Sequence, residues 1–552
     1  MKALLPQRLA LLAVVCAAVV RAAATAAAAP PNLVVILADD LGWSDVGCYG
    51  GEIPTPHLDA LAAGGMRFTA FYNCAQCCPT RAALLSGMDP HAAGRGDMID
   101  GVAADIRRAA ASPHYTTRLD PRALTIAERL RPAGYRTLMT GKWHVGAEDG
   151  ERPLQRGFDR FYGFVGGGDD YFRPRRLVDG DARVPTDDLP ADFYATDAFT
   201  TKAMEFIAEE DAGKPFFLYL AYTAPHARLM APEEEIARQR GRYDAGFEAV
   251  AERRLARQKE LGLVPADMRL PPRDPGSEPW SGTPAQLTEM RNMEVYAAMV
   301  ARMDANIGRL VAFLEERGAL DDTLILFLSD NGAWASGATY EQEWAETCDT
   351  PLRLFKLFTH EGGIRTPCIA HWPRRIRPGT VQSRHYAHVK DILPTLLDAA
   401  GAAIPDAAGG GAGGAGGGAG GTEAGPASLP VTGRSFLPAL LDPAFAAPRT
   451  LCWERLGNEA VRDGRWKLVR AYSAVRDYHP VTKRGPGDGP RTGRWELYDL
   501  EADPGESCDL AADEPERVAE LAARYARWAE EVGVVPRERI AAAVDAAAPA
   551  GE

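Results

Sequence analysis

Two short acidic runs carry most of the chemistry that can be read from this chain. Asp39-Asp40 and Asp330-Asn331 each close an apolar stretch of strand length. Their hard oxygen donors suit Ca²⁺ or Mg²⁺ and suit zinc poorly. One such acidic pair usually caps a helix or a turn; two of them ending parallel strands read as the halves of one oxygen cage. Lys142, His144, His226, Lys356 and Arg81 supply cations and hydrogen-bond donors with which a bound anion could be held. The segment Asn73-Cys74-Ala75-Gln76-Cys77-Cys78-Pro79-Thr80-Arg81 concentrates three cysteines. A zinc site would want a second close pair, a redox pair would want a thioredoxin-like context, and neither is present; disulfide halves remain open. Pro79 marks a helix start, placing Cys77 at a helix N-terminus, where free amides favour an anion.

This segment, with Leu85-Ser86-Gly87, resembles the signature of type I sulfatases, members of the alkaline phosphatase superfamily. Only Cys77 has proline two residues on and arginine four on; Cys78 falls on the variable position. Further motifs follow in the family's order: Leu37-Ala38-Asp39-Asp40-Leu41-Gly42, Gly141-Lys142-Trp143-His144, Ser329-Asp330-Asn331-Gly332, and Pro351-Leu352-Arg353 with Lys356 and Glu361-Gly362-Gly363-Ile364-Arg365. Leu354-Phe355 and Cys348 depart from the family, which often has glycines and an asparagine there.

The resemblance implies a sulfuric-ester hydrolase, arylsulfatase-like, in which Cys77 is oxidised before folding to formylglycine (3-oxoalanine) by a maturation enzyme. It implies one Ca²⁺ held by Asp39, Asp40, Asp330, Asn331 and the residue at 77. Arg81 and His144 would orient the formylglycine hydrate, while Lys142, Lys356 and His226 would bind the sulfate, with His226 or Lys356 protonating the leaving alcohol. Relatives with the same fold and the same modification cleave phosphonate monoesters or phosphodiesters, which is the alternative activity. An inactive binding protein is a third reading, and the occupied reactive positions count against it.

The elements that must position these residues are legible as well. Apolar runs Leu33 to Ala38, Tyr135 to Thr140, Phe216 to Tyr222 and Leu324 to Ser329 each lead into one of the motifs, with helical stretches between them. That alternation predicts an α/β protein with a large, mostly parallel sheet flanked by helices, alkaline phosphatase-like, whose strand ends converge on one crevice. A helical stripe from Tyr296 to Gly318 reads as core. Beyond it, short runs at 451–454, 459–462, 465–470 and 495–500, with a tight turn at Asp463-Gly464, predict a smaller antiparallel sheet covered by a helix over 514–532. The expected organisation is a leader over 1–29, a catalytic domain over 30–404, a flexible Gly/Ala-rich loop over 405–427 and a C-terminal α+β subdomain over 428–540.

Length and composition set the outer bounds. With 552 residues, 46% hydrophobic and 25% charged, the chain can bury a large core and is not a disordered or multispanning protein. A net charge of −13 argues against nucleic-acid binding, so an anionic substrate needs the local cations named above. Lys2 and Arg8, an apolar run from Leu9 to Val20, and small residues to Ala29 read as an export signal rather than a stable membrane span, which predicts a periplasmic or secreted protein. The expected partner is a sulfated small molecule or glycan. Tyr171-Phe172-Arg173-Pro174-Arg175-Arg176 offers aromatic and cationic contacts for one, although a solvated loop is the plainer expectation. His360, beside Glu361, reads first as a structural histidine.

Overall fold

The computed structural model describes residues 29–98, 111–209, 213–273, 277–335, 339–404, 428–455, 457–471 and 493–539. The expected leader (but for Ala29) and the Gly/Ala-rich loop lie outside these residues. Eleven strands form the main sheet: β1 (Asn32–Ala38), β2 (Met66–Tyr72), β3 (Arg136–Lys142), β4 (Arg160–Phe164), β5 (Leu177–Asp179), β6 (Ala182–Arg183), β7 (Phe216–Ala221), β8 (Thr323–Ser329), β9 (Arg365–His371), β10 (Thr380–Gln382) and β11 (Ala387–His388). Their order is β10-β2-β9-β8-β1-β7-β3-β4-β5-β6, with β11 also on β2. The run β8-β1-β7-β3-β4 is parallel throughout, whereas β9 and β5 pair antiparallel with their neighbours.

The sheet is buried on both faces, which is why its central strands read as continuous apolar runs rather than alternating ones. In β1, Val34, Ile36 and Ala38 pack into one core, and Leu33, Val35 and Leu37 into the other. The first core receives the long helix Pro284–Glu316 through Met299, Met303, Ile307 and Leu310; the second receives the helix Cys77–Ser86 through Leu84 and Leu85. The long helix begins well before the expected Tyr296, because Thr283 and Gln286 form a capping box around Pro284.

The second sheet is antiparallel in the order β12 (Thr450–Arg455), β13 (Asn458–Asp463), β14 (Trp466–Arg470) and β15 (Glu496–Asp499), with the helix Pro515–Val532 on β13 and β14. It is tied to the larger body by a buried ion cluster. On β14, Lys467 Nζ lies 2.8 Å from Glu361 Oε1 and 2.7 Å from Glu506 Oε1, with all three side chains at 0% exposure. Burial opposes the charge on Glu361, but Lys467, with Arg365 and Arg462, outweighs it and holds the carboxyl down at about 2. Lys467→Ala strands two buried carboxylates and is expected to cost about 3–5 kcal/mol of stability. Because the folded carboxyl titrates below its ordinary 4.5, its contribution is present above about pH 4.5 and is lost as the pH falls toward 2. Thermal melts of Lys467→Met across that range should show a shallower acid dependence than the parent. An equally steep acid limb would contradict this assignment.

Candidate functional site

The carboxyl ends of β1, β3, β7 and β8 open on one side of the sheet, and each delivers part of one cluster. Asp39 and Asp40 follow β1, Asp330 and Asn331 follow β8, Lys142 ends β3 with His144 just beyond, and His226 follows β7. Gly141 permits this convergence: its φ is 101°, and a Cβ there would stand 1.9 Å from the Ala221 carbonyl oxygen on the neighbouring strand. Cys77 and Arg81 share a face of the helix Cys77–Ser86, one turn apart, with Cys77 at its first position. Lys356 comes from the loop before the short helix Glu361–Ile364, and its amide donates to the carbonyl of Ala333 at 3.0 Å. Gly332 lets that loop dock, since a Cβ there would lie 1.8 Å from the Gly362 carbonyl oxygen.

Arg81 organises the floor. It donates to Asp330 Oδ2 from Nη2 at 2.8 Å and from Nε at 3.2 Å, and to the Lys142 carbonyl at 2.9 Å, and its Nη2 lies 3.4 Å from Asp39 Oδ2. Lys142 Nζ donates to Asp39 Oδ2 and Lys356 Nζ to Asp40 Oδ1, each at 2.5 Å; Asn331 Nδ2 donates to Asp40 Oδ1 at 2.7 Å. His226 Nε2 stands 3.6 Å from Asp40 Oδ2, and Cys77 Sγ 3.5 Å from His144 Nδ1. The structure therefore gathers Cys77, Arg81, Lys142, His144, His226, Lys356, Asp39, Asp40, Asp330 and Asn331 in one place. Asp40 and His144 hold left-handed backbone, φ 68° and 63°, a conformation that costs of order 1–3 kcal/mol at such residues and persists where surrounding contacts fix it.

The electrostatics are divided. Burial opposes the charge on Asp39, yet Lys142, His226 and Arg81 hold its carboxyl down at about 2. Burial and the neighbouring Asp39 push Asp330 well above the carboxylate range despite Arg81. Burial lowers His144 against the pull of Cys77, which keeps the imidazole neutral near pH 7. A hydrogen bond with Cys78 holds the Cys77 thiol well below its ordinary range, and Lys142, His144 and Lys356 reinforce it against burial. Three buried oxygens in the cluster, Asp39 Oδ1, Asp40 Oδ2 and Asn331 Oδ1, have no hydrogen-bond partner. Orphaned oxygens of this kind, beside a carboxylate that burial and Asp39 push toward its neutral form, fit a hard divalent cation. Among the described histidines, cysteines and acidic residues, Asp39, Asp40 and His226 form a group whose ligand atoms lie within 4.8 Å of one another.

Other candidates fall elsewhere. Tyr171 is buried, and its hydroxyl donates to the carbonyls of Thr223 and His226, so it props the histidine loop instead of stacking a ligand; Arg173, Arg175 and Arg176 are exposed. His360 is fully buried beside Glu496 and does not reach the mouth. Among the described residues no two cysteines are joined as a disulfide. Leu354 adopts φ 60°, a left-handed backbone that glycine takes without strain, so this position carries a side chain in a conformation that favours glycine. Sequence reasoning passed over Trp334, directly after the Asp330 turn, and the run Gly166-Gly167-Gly168. Their signals were a tryptophan beside a metal-type turn and three glycines just after β4.

A model of the family described as Sulfatase matches residues 31–402. The chain is 34% identical to an uncharacterized sulfatase of Schizosaccharomyces pombe, over 91% of this chain and 94% of that one. It is 36% identical to an arylsulfatase of Klebsiella aerogenes, over 66% and 86%. Among solved structures, Ps i-CgsB in complex with k-i-k-neocarrahexaose matches with a TM-score of 0.63 at 25% identity, covering 90% of this chain and 92% of that chain. A second, solved with its substrate D-glucosamine-2-N,6-O-disulfate, shares the fold at a TM-score of 0.62 and 21% identity, covering 92% and 99%.

Proposed function

Since the chain belongs to the sulfatase family and is a sulfate-ester hydrolase, we propose that it acts on aryl or carbohydrate sulfates through formylglycine made from Cys77, with one calcium ion held by Asp39, Asp40, Asp330, Asn331 and the residue at 77. The observation that carries this reading is the buried meeting of Cys77 with Lys142, His144 and Arg81 beside the partnerless oxygens of Asp39, Asp40 and Asn331. With both groups in place, the aldehyde hydrate would supply the attacking hydroxyl and the cation would polarise the ester.

The chain's own residues do the rest. Arg81, clamped by Asp330 and the Lys142 carbonyl, and His144, 3.5 Å from the Cys77 sulfur, orient position 77. Lys142, Lys356 and His226 bind the sulfate oxygens, where donors set in advance on developing charge are worth roughly a hundredfold to a thousandfold each. His226 is 30% exposed, against 5% for Lys356, so it stands on the side from which the alcohol departs and is the better placed to protonate it. Cys77 is only 2% exposed, which supports modification of the unfolded chain by a maturation enzyme. No described helix is long and apolar enough to cross a membrane, and the leader supports export to the periplasm or beyond.

A phosphodiester carries one negative charge, like a sulfate ester, so charge alone does not separate them and the chemical step must. With matched aryl leaving groups and protein co-expressed with a maturation enzyme, kcat/KM for the sulfate is expected to exceed that for the diester by at least about a hundredfold, or roughly 2.7 kcal/mol. A better rate on the diester or on a phosphonate monoester would replace the sulfatase reading with the phosphoester one.

A further inference from the structure

The reacting groups lie at the bottom of a pit. Arg81, Lys142, Asp39 and Asp330 are fully buried, and among the described residues His144, His226 and Trp334 are partly exposed and touch the cluster. Any group carried on a sulfate ester must leave the pit past them. Glycines 166–168 add no bulk near His144: a Cβ on Gly167 would come within 3.1 Å of His144 Nε2, and Gly166 faces open space. Trp334 is a large, partly exposed aromatic side chain beside this cluster. Its neighbours Ala333 and Ala335 are buried, and its ring centroid is 4.9 Å from Lys356 Nζ, the ammonium that also touches Asp40. The first carbon of an ester alcohol is two bonds from sulfur. A ring on that alcohol would therefore lie close to the tryptophan if the sulfate is held by Lys356. An aromatic side chain buries about 150–250 Å² when fully enclosed, and the partly exposed Trp334 has a share of that left for such contact.

We propose that Trp334 is the specificity-determining platform of this site, stacking the ring of a ring-bearing sulfate, aryl or pyranosyl, and so favouring cyclic over open-chain alcohols. The inference rests on the sulfate-ester reading above. The shared chemistry is a flat or apolar ring face against the indole, and the two sources are separated by testing both kinds of substrate.

The experiment uses the matured full chain. Trp334→Ala is compared with Trp334→Phe on 4-nitrophenyl sulfate and on a pyranose monosulfate, with inorganic sulfate as a competitive inhibitor. The alanine variant is expected to raise KM about tenfold on at least one ring substrate, with kcat kept within about threefold and the inhibition constant of inorganic sulfate within about twofold; phenylalanine should recover most of the loss. The substrate that shows the effect identifies the ring. An unchanged KM on both substrates overturns the proposal. So does a parallel rise in the inhibition constant of inorganic sulfate, because Trp334 would then merely support Lys356. If an aryl phosphodiester proved the better substrate, the same ring effect is expected on its KM, so failure of the sulfatase reading and failure of the platform are seen separately.

Discussion

Cys77→Ala is expected to remove hydrolysis almost completely, by on the order of a millionfold, whereas Cys74→Ala and Cys78→Ala should stay within about threefold of the parent. The asymmetry follows from geometry. The Cys77 sulfur faces His144 at 3.5 Å, and a hydrogen bond with Cys78, reinforced by Lys142, His144 and Lys356, lowers its thiol. Cys74 points to His388 at 3.8 Å, and burial and Asp89 raise its thiol well above the usual range. Cys78 is fully buried in the second core-facing helix, one residue past the position that faces the cluster. Loss of the nucleophile is a larger effect than loss of any one donor, because other donors continue to bind the anion while no other group can attack. Peptide mass spectrometry of the parent should find the aldehyde at 77 and unmodified thiols at 74 and 78. An unmodified thiol at 77 in fully active protein would sink the mechanism, and an active Cys77→Ala would do the same.

The parts of the fold that the sequence makes legible are those where one physical demand dominates. The strands β1, β3, β7 and β8 are buried on both faces, so their apolar runs stand out, and the polar residues that end them are the site. The small sheet and its covering helix, Pro515–Val532, fall within a residue or two of the expected bounds because Asp463-Gly464 fixes the turn and the helix is strongly amphipathic. The strand β9 escaped notice for an equally physical reason. Pro367 lies in its interior, which ordinarily argues against a central strand, but the register with β2 shifts between Phe68 and Phe71 and the proline sits opposite that bulge.

The site was legible as residue types and order, since Asp39-Asp40 and Asp330-Asn331 end strands and Cys77 begins a helix. The spatial partners were not. That Arg81 would clamp Asp330, and that Lys467 on the small sheet would neutralise Glu361 beside the Lys356 loop, depends on contacts between residues 249 and 106 apart in the chain that no local pattern encodes. For Trp334 the sequence offered a signal, a tryptophan beside the Asp330 turn, but the proximity of Lys356 on which its proposed role rests did not show there.

Asp330 gives the sharpest test of the proposed calcium site, because it serves the cation and the protein together. Its Oδ2 takes two bonds from Arg81, and its Oδ1 accepts the Asp40 amide at 3.3 Å. Asp330→Ala removes a ligand and leaves Arg81 a single carboxylate, Asp39 at 3.4 Å, so a stability loss of about 3–5 kcal/mol would confuse the reading. Asp330→Asn keeps the shape and the bond from the Asp40 amide; it removes the charge and the two bonds from Arg81, so it loses less packing than alanine but weakens the same ion pair. Asp39 and Asp40, each already engaged by a lysine at 2.5 Å, cannot replace it. The asparagine variant is therefore expected to purify without stoichiometric calcium and to lose activity by on the order of a thousandfold, with its circular dichroism unchanged. Added calcium should raise the parent's Tm, by linkage to binding, and leave that of the variant where it is. Calcium retained in Asp330→Asn, or stoichiometric zinc in the parent, would refute the oxygen cage while leaving Cys77 as the source of the nucleophile.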